Sequence, residues 1–145
     1  MMEKINLETF LPYRLAHIAK LVSRDLHDLY SRVYDLTVPE WRVLMALGAS
    51  DKMTAKEIGK YVSMHKTKIS RAVRTLEKRR WLVRQENRMD RREEYLSLTA
   101  RGHKIHVEMI PLALQFQKKL FSCLGRDSDK FQKLLERFEK YYSSM

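Results

Sequence analysis

The chain has 145 residues, of which 44% are apolar, so we expect a folded core with a modest appendage rather than disorder. No apolar run approaches the roughly 18 residues of a membrane span, and the N-terminal MMEKINLETF lacks a signal-peptide core. A single cysteine, Cys123, excludes an internal disulfide and favours a cytoplasmic protein. The net charge of +11 favours a polyanionic partner.

The excess positive charge is concentrated in the middle of the chain. Between Lys56 and Arg92 there are 13 Lys and Arg residues against 4 Asp and Glu residues, a local balance of +9. A surface of this kind suits DNA, RNA or an acidic membrane. An ordinary solvated face is the alternative, and charge alone does not decide between them.

The first predicted elements are two helices. Apolar residues recur every three or four positions from Leu7 to Tyr34, which predicts a long amphipathic helix that starts or bends near Pro12. The sequence TVPE (37–40) has the form of a capping box that opens a second helix, from Pro39 to Leu47. Gly48 would end that helix.

A helix-turn-helix is predicted next. The sequence TAKE (54–57) repeats the capping pattern and opens a short helix, which the segment Val62–Met64 interrupts. A further helix over 65–79 would bury Ile69, Ala72, Val73 and Leu76, whose spacings of three and four define one face. Two short helices joined by a tight turn are typical of this motif.

The residue periodicity then changes from helical to extended. Strands are predicted over 82–85 and 93–98 with a polar tip at 87–92, followed by helices over 100–124 and beyond Asp127. The predicted fold class is mainly α with a small β-hairpin wing. Residues 36–99 would form a winged helix-turn-helix lobe, and the helices of 1–35 and 100–145 would form a bundle shared by two subunits.

The residues expected to contact double-stranded DNA lie on the exposed face of the 65–79 helix and at the wing tip. Arginine can bridge guanine O6 and N7 in the major groove, and a wing-tip arginine can enter a narrow minor groove. Asp90 is expected to hold an arginine, either Arg74 or Arg92. The alternatives are a solvated helix face and non-specific phosphate contacts. The candidates are Lys66, Thr67, Ser70, Arg71, Arg74, Arg88, Asp90, Arg91 and Arg92.

The sequence resembles the MarR family of bacterial transcription regulators over nearly its whole length. The resemblance rests on LTVPEWRVLMAL (36–47), on residues 54–84, and on DRREEYLSLTARG (90–102), where Asp-x-Arg precedes Leu-Thr-x-x-Gly. It implies a homodimer on a pseudo-palindromic operator, with Arg92 in the minor groove and Asp90 supporting an arginine. Arg80 departs from the pattern, because the family often has Gly there, and we expect a small change in that turn.

The resemblance also implies a repressor that is released by a small aromatic or phenolic ligand. An arginine with aromatic neighbours suits a ring carboxylate, so Tyr13, Arg14, His17 and Trp41 are the effector-binding candidates. Alternatively, Tyr13 and Trp41 belong to the core and Arg14 to the surface.

Other sensing chemistry is less favoured by the sequence. Cys123 is expected to be a buried structural thiol, and His103 and His106 could share a metal but lack convergent ligands. We expect no metal and no cofactor.

Enzymatic activity is not expected, because the sequence has no Gly-rich phosphate loop and no nucleophile elbow. A winged helix that binds proteins, or that coats DNA without regard to sequence, remains the competing interpretation. It would bind DNA with strong salt dependence and little discrimination between sequences.

Overall fold

A computed structural model describes residues 2–90 and 92–145; Arg91, one of the DNA-binding candidates, lies outside the described residues. The chain divides into two compact units, the first ending at Met109 and the second spanning Ile110–Met145. In chain order the helices and strands are α1 (Leu11–Tyr34), α2 (Val38–Ala49), β1 (Met53–Thr54), α3 (Ala55–Val62), α4 (Lys66–Lys78), β2 (Leu82–Glu86), β3 (Glu94–Leu98), α5 (Ala100–Ser122) and α6 (Ser128–Ser143).

The first helix begins at Leu11, with Pro12 in its first turn, where a missing amide hydrogen costs nothing. The segment from Leu7 to Phe10, which was predicted as helix, precedes it. The helix ends where Asp35 adopts a left-handed conformation and its N–H donates to the Ser31 carbonyl.

The predicted capping box opens α2. The Thr37 N–H donates to Glu40 Oε2 at 2.9 Å, and the Glu40 N–H donates to Thr37 Oγ1 at 3.4 Å. The prediction that Gly48 ends this helix is wrong, because α2 continues to Ala49. Gly48 instead provides a close approach: a Cβ there would overlap the His106 ring of α5.

The wing is part of a three-stranded antiparallel sheet in the order β1-β3-β2. Leu82 pairs with Leu98 and Glu86 pairs with Glu94, so the predicted hairpin is present. Strand β1, which the sequence analysis missed, pairs Met53 with Leu96 on the other edge of β3. This third strand joins the wing to the start of α3.

The core of the first unit lies between the helix-turn-helix and the sheet. The four predicted positions of α4 (Ile69, Ala72, Val73 and Leu76) are all buried, as are Val43, Leu44, Leu47, Ile58, Trp81, Leu82, Leu96 and Met109. Trp41, which was predicted to point inward, is only half-buried. Close packing around α4 fixes which of its faces remains in solvent.

In the second unit, Gly125 has a φ of 55° and separates α5 from α6, as the sequence predicts. The expectation of a buried Cys123 is wrong, because its thiol is exposed beyond the last turn of α5.

Along residues 2–90 and 92–145, every helix falls short of the length and apolar character that a bilayer span requires.

Candidate nucleic-acid interface

One face of α4 is available to a ligand. The five predicted contact residues of this helix are all exposed, on the side opposite its buried positions; they are Lys66, Thr67, Ser70, Arg71 and Arg74. Three are cations and two are hydroxyl donors. This helix face can therefore form hydrogen bonds to base edges and ion pairs with phosphates.

The turn before α4 is tightly defined. Ser63 takes a left-handed conformation with φ of 54°, and the Met64 N–H donates to the Gly59 carbonyl at 3.0 Å. His65 caps α4, because its Nδ1 accepts from the Thr67 N–H at 3.3 Å. These bonds fix the angle at which α4 leaves α3.

The end of α4 forms a Schellman motif. The Trp81 N–H donates to the Leu76 carbonyl and the Arg80 N–H to the Glu77 carbonyl, both at 3.0 Å. Arg80 has a φ of 62°. Arg80 thus adopts the left-handed conformation that Gly adopts most easily, although it carries a Cβ.

The Leu-Thr-x-x-Gly motif joins the wing to α5. The Thr99 hydroxyl donates to the Arg80 carbonyl at 2.7 Å and accepts from the Gly102 N–H at 3.0 Å. A Cβ on Gly102 would overlap the Trp81 carbonyl. Glycine is needed here because the first turn of α5 lies against the backbone that follows α4.

A second contact at the end of α4 involves Arg79. Its guanidinium donates to the carbonyl of Tyr34 at 2.6 Å and to that of Asp35 at 3.1 Å. The same group lies 3.8 Å from the centre of the Trp81 ring. Arg79 therefore connects the C-terminal ends of α1 and α4.

The wing tip is held by side chains from within the loop. Asn87 Oδ1 accepts from the Met89 N–H at 3.0 Å and from the Asp90 N–H at 3.4 Å. Asp90 Oδ1 accepts from the Arg92 N–H at 3.0 Å. Among the described residues, Asp90 thus holds Arg92 through its main chain and makes no ion pair with Arg74 or Arg92.

Arg84 forms two ion pairs, one that attaches the wing to α4 and one within the wing. Arg84 of β2 contacts Glu77 of α4 at 3.0 Å and Glu94 of β3 at 3.4 Å. Both pairs are partly exposed, so we expect them to orient the wing more than to stabilise it. Arg84 was not among the predicted site residues, although its place in a strand beside a helical acid could have indicated the pair.

A groove of about 810 Å³ lies where α3, α4 and the wing meet. The predicted residues Lys66, Ser70 and Arg92 line it, so the structure brings the helix and wing candidates together. Lys56 and Lys60 of α3 also line it and were not proposed individually. With Arg84, five cations line the groove against the carboxylates of Glu93 and Glu94, so its net charge is positive.

The effector-binding candidates fall into two places. Tyr13 and His17 stack with ring centres 6.0 Å apart and are exposed, as is Arg14. Trp41 instead stacks on Tyr30, with ring centres 5.2 Å apart. At 1.5 Å per residue, His17 is about 20 Å along α1 from Tyr30, so this chain alone does not bring the four candidates together.

The histidines of α5 have different environments. His106 is buried over Gly48 and its Nδ1 has no hydrogen-bond partner, whereas His103 is exposed. Burial is the main cause that lowers the pKa of His106 below its ordinary value of 6.5, and the nearby His103 lowers this pKa further. Within residues 2–90 and 92–145, no three His, Cys, Asp or Glu side chains converge as metal ligands would.

An exposed polar helix after a tight turn, beside a wing with a cationic groove, defines a winged helix-turn-helix of the DNA-binding class. Residues 34–93 match the sequence profile of the MarR family. The chain is 28% identical over 120 residues to YwoH of Bacillus subtilis, an uncharacterised HTH-type transcriptional regulator, and the alignment covers 83% of this chain and 85% of YwoH.

Solved structures are also similar to this chain in fold. A MarR family transcriptional regulator from Silicibacter pomeroyi matches with a TM-score of 0.80 and 28% identity, covering 95% of this chain and 91% of that one. BpsR of Bordetella bronchiseptica shares the fold, with a TM-score of 0.82, 19% identity and coverage of 95% and 98%. In sequence and fold the chain is therefore similar to helix-turn-helix transcriptional regulators of the MarR family.

Proposed function

We propose that this regulator is a sequence-specific repressor that binds a pseudo-palindromic operator in double-stranded DNA as a homodimer. The observation that carries the proposal is the exposed face of α4, where cations and hydroxyls stand on a rigid helix beside a cationic groove. Purely electrostatic binding would need only cations. Interspersed hydroxyl groups favour the reading of base edges.

The wing supplies the second set of contacts. Arg88 and Arg92 are exposed on a tip whose backbone is held by Asn87 and Asp90. A narrow minor groove has the most negative potential on DNA and attracts arginine. We therefore assign Arg92 to the minor groove and Arg88 to the groove or its phosphates.

A homodimer is proposed because the terminal helices leave apolar side chains in water. On α1 these include Leu11, Leu15 and Ile18, each about half exposed. On α6 they include Phe131, Leu134 and Phe138. Apolar faces of this extent mark interaction surfaces, and a second copy would bury them while holding two α4 helices at a fixed separation. Residues 1–35 and 100–145 are accordingly the proposed dimerisation region, and 36–99 the DNA-binding lobe.

A small aromatic or phenolic acid is the class of effector that we propose. DNA binding by BpsR, whose likeness to this chain is one of fold, is regulated by 6-hydroxynicotinic acid. The Tyr13–His17 stack beside Arg14 offers two rings and a guanidinium on one exposed segment of α1. A ligand that favours an unsuitable spacing of the two α4 helices would release the operator.

Selection of bound sequences from a pool of random duplexes tests the proposal. We expect a preferred sequence with two inverted half-sites. Binding to all sequences alike, with affinity set only by salt, would favour the sequence-blind interpretation and contradict the proposal.

Alanine variants then test the residue assignments on the selected duplex. Arg71→Ala or Arg74→Ala should reduce discrimination between that duplex and random DNA, whereas Arg92→Ala should weaken operator binding by roughly 1–3 kcal/mol. Lys104→Ala removes an exposed cation of α5, outside the motif and the wing, and serves as the matched control. If the control and the arginine variants lose the same affinity, the assignments are wrong.

A further inference from the structure

Met89, at the wing tip, has no function in the contacts proposed so far. Its side chain is 95% exposed, the highest value for any large apolar side chain in the described residues. It is also the one apolar residue in the segment from Glu86 to Glu94, where every other residue is charged or an amide. A single exposed apolar residue is common on protein surfaces, so exposure alone would not indicate a role.

Hydrogen bonds hold the backbone on both sides of Met89, so the exposure of the Met89 side chain follows from the structure of the turn. Asn87 is only 7% exposed, and its Oδ1 accepts from the N–H groups of both Met89 and Asp90. Asp90 in turn accepts from the N–H groups of Arg92 and Glu93, at 3.0 and 3.2 Å. The tip is thus a hydrogen-bonded turn that exposes the Met89 side chain to solvent.

The neighbours of Met89 determine where this side chain would go on DNA. Arg88 and Arg92 are exposed on either side of it in the chain. Arg88 is attracted to the phosphates that form the walls of a groove, and Arg92, as proposed above, enters the minor groove itself. The apolar side chain between them is then directed to the floor of the groove, where sugar and base edges are less polar.

We propose that Met89 is an apolar wedge that inserts at a base step of the minor groove when the wing docks. Methionine is unbranched and flexible, and proteins that kink DNA from the minor groove use residues of this type to unstack a step. Pyrimidine–purine steps unstack most easily, so the wedge would favour such a step in each half-site. The inference rests on the proposed DNA-binding function and assigns it an additional specificity-determining residue.

The test uses the full chain and a duplex that the wild-type protein has selected from a random pool. The fluorescent base 2-aminopurine replaces adenine, one position at a time, in the part of the half-site protected by the wing. With wild-type protein, fluorescence should rise at one step, because unstacking relieves quenching. Met89→Ala should abolish the rise and weaken binding about tenfold, while Met89→Leu should retain most of both effects.

Salt dependence separates the wedge from a phosphate contact. Arg88→Ala should lower the slope of log affinity against log salt by about one, whereas Met89→Ala should leave the slope unchanged. Because Met89 is 95% exposed, its variants should fold like wild type, and equal melting temperatures would verify this.

Two negative results are distinguishable. Suppose first that the pool yields a preferred sequence. If wild type then produces no fluorescence rise, or if Met89→Ala keeps the wild-type rise and affinity, the wedge is refuted and the proposed function stands. If the pool yields no preferred sequence, the proposed function fails and the wedge fails with it.

Discussion

Arg80 has a left-handed backbone conformation, with φ of 62°, at the residue that follows the cap of α4. For residues with a Cβ this conformation costs on the order of 1 kcal/mol, and glycine avoids that cost. The Arg80 N–H and carbonyl are both used, by Glu77 and by the Thr99 hydroxyl. The conformation is therefore imposed by the junction between α4, the wing and α5, whatever side chain stands there.

Arg80→Gly should for that reason raise the free energy of unfolding by about 1 kcal/mol, somewhat offset by the greater freedom of glycine in the unfolded chain. Urea denaturation followed by circular dichroism would measure the change. Gly125→Ala is the matched control with the opposite expected sign, because Gly125 has a φ of 55° in open space. A loss of stability in Arg80→Gly would show that the arginine side chain contributes more than the strain costs.

At the scale of secondary-structure elements, α2 and α5 approach closely at one point. Gly48 lies under the ring of His106, which is buried with Nδ1 unpaired. A buried imidazole without a partner is stable only in its neutral form. Its protonation would place a charge where α2 and α5 meet.

The pH dependence of stability should reveal this contact. Because the pKa of His106 is lowered in the folded chain, the unfolded chain binds the proton more tightly. Stability should thus be fully present above about pH 6.5 and decline as the pH falls below it, with a slope of at most about 1.4 kcal/mol per pH unit from this residue.

The comparison to make is between His106→Phe and His103→Gln, each measured by urea denaturation from pH 7.5 to 5.5. The first should flatten the decline, and the second, which removes an exposed ring, should retain most of it. Equal slopes in wild type and His106→Phe would contradict the interpretation.

The sequence predicted most elements because their signals are local. Capping at Thr37, the buried spacing of α4 and the change to extended structure after Trp81 depend on neighbours within one or two turns. Two of the failures involve distant partners. Strand β1 is two residues long and exists through its pairing with β3, and Gly48, instead of ending α2, makes room for the His106 ring of α5.

In the candidate interface, too, the features that depend on neighbours in the sequence were predictable and those that depend on distant partners were not. Which α4 residues are exposed follows from helical periodicity, so that part could be derived from the sequence. The bond from the Arg92 main-chain N–H to the Asp90 carboxylate, and the attachment of Arg84 to Glu77, depend on the conformation of the wing. Periodicity carries no information about either.

At the scale of the whole molecule, we propose that the exposed apolar residues of α1 and α6 form the surface on which two copies associate. Removing residues 127–145 deletes α6, so we expect the truncated chain to form no folded dimer. Sedimentation velocity of both chains at micromolar concentration measures this. Phe138→Glu, which keeps α6 but charges its apolar face, should weaken the dimer without removing the helix. A folded, monodisperse monomer of the full chain would contradict the shared bundle.

The link that Arg79 makes between α1 and α4 opposes separation of the two helix ends. Separating them would break the two charge-assisted hydrogen bonds that Arg79 donates to Tyr34 and Asp35, whereas Trp81 belongs to the same end of α4 as Arg79 and would move with it. Two such bonds are worth on the order of 3 kcal/mol. Any small molecule that pulls these ends apart must therefore prefer the altered conformation by more than about a hundredfold.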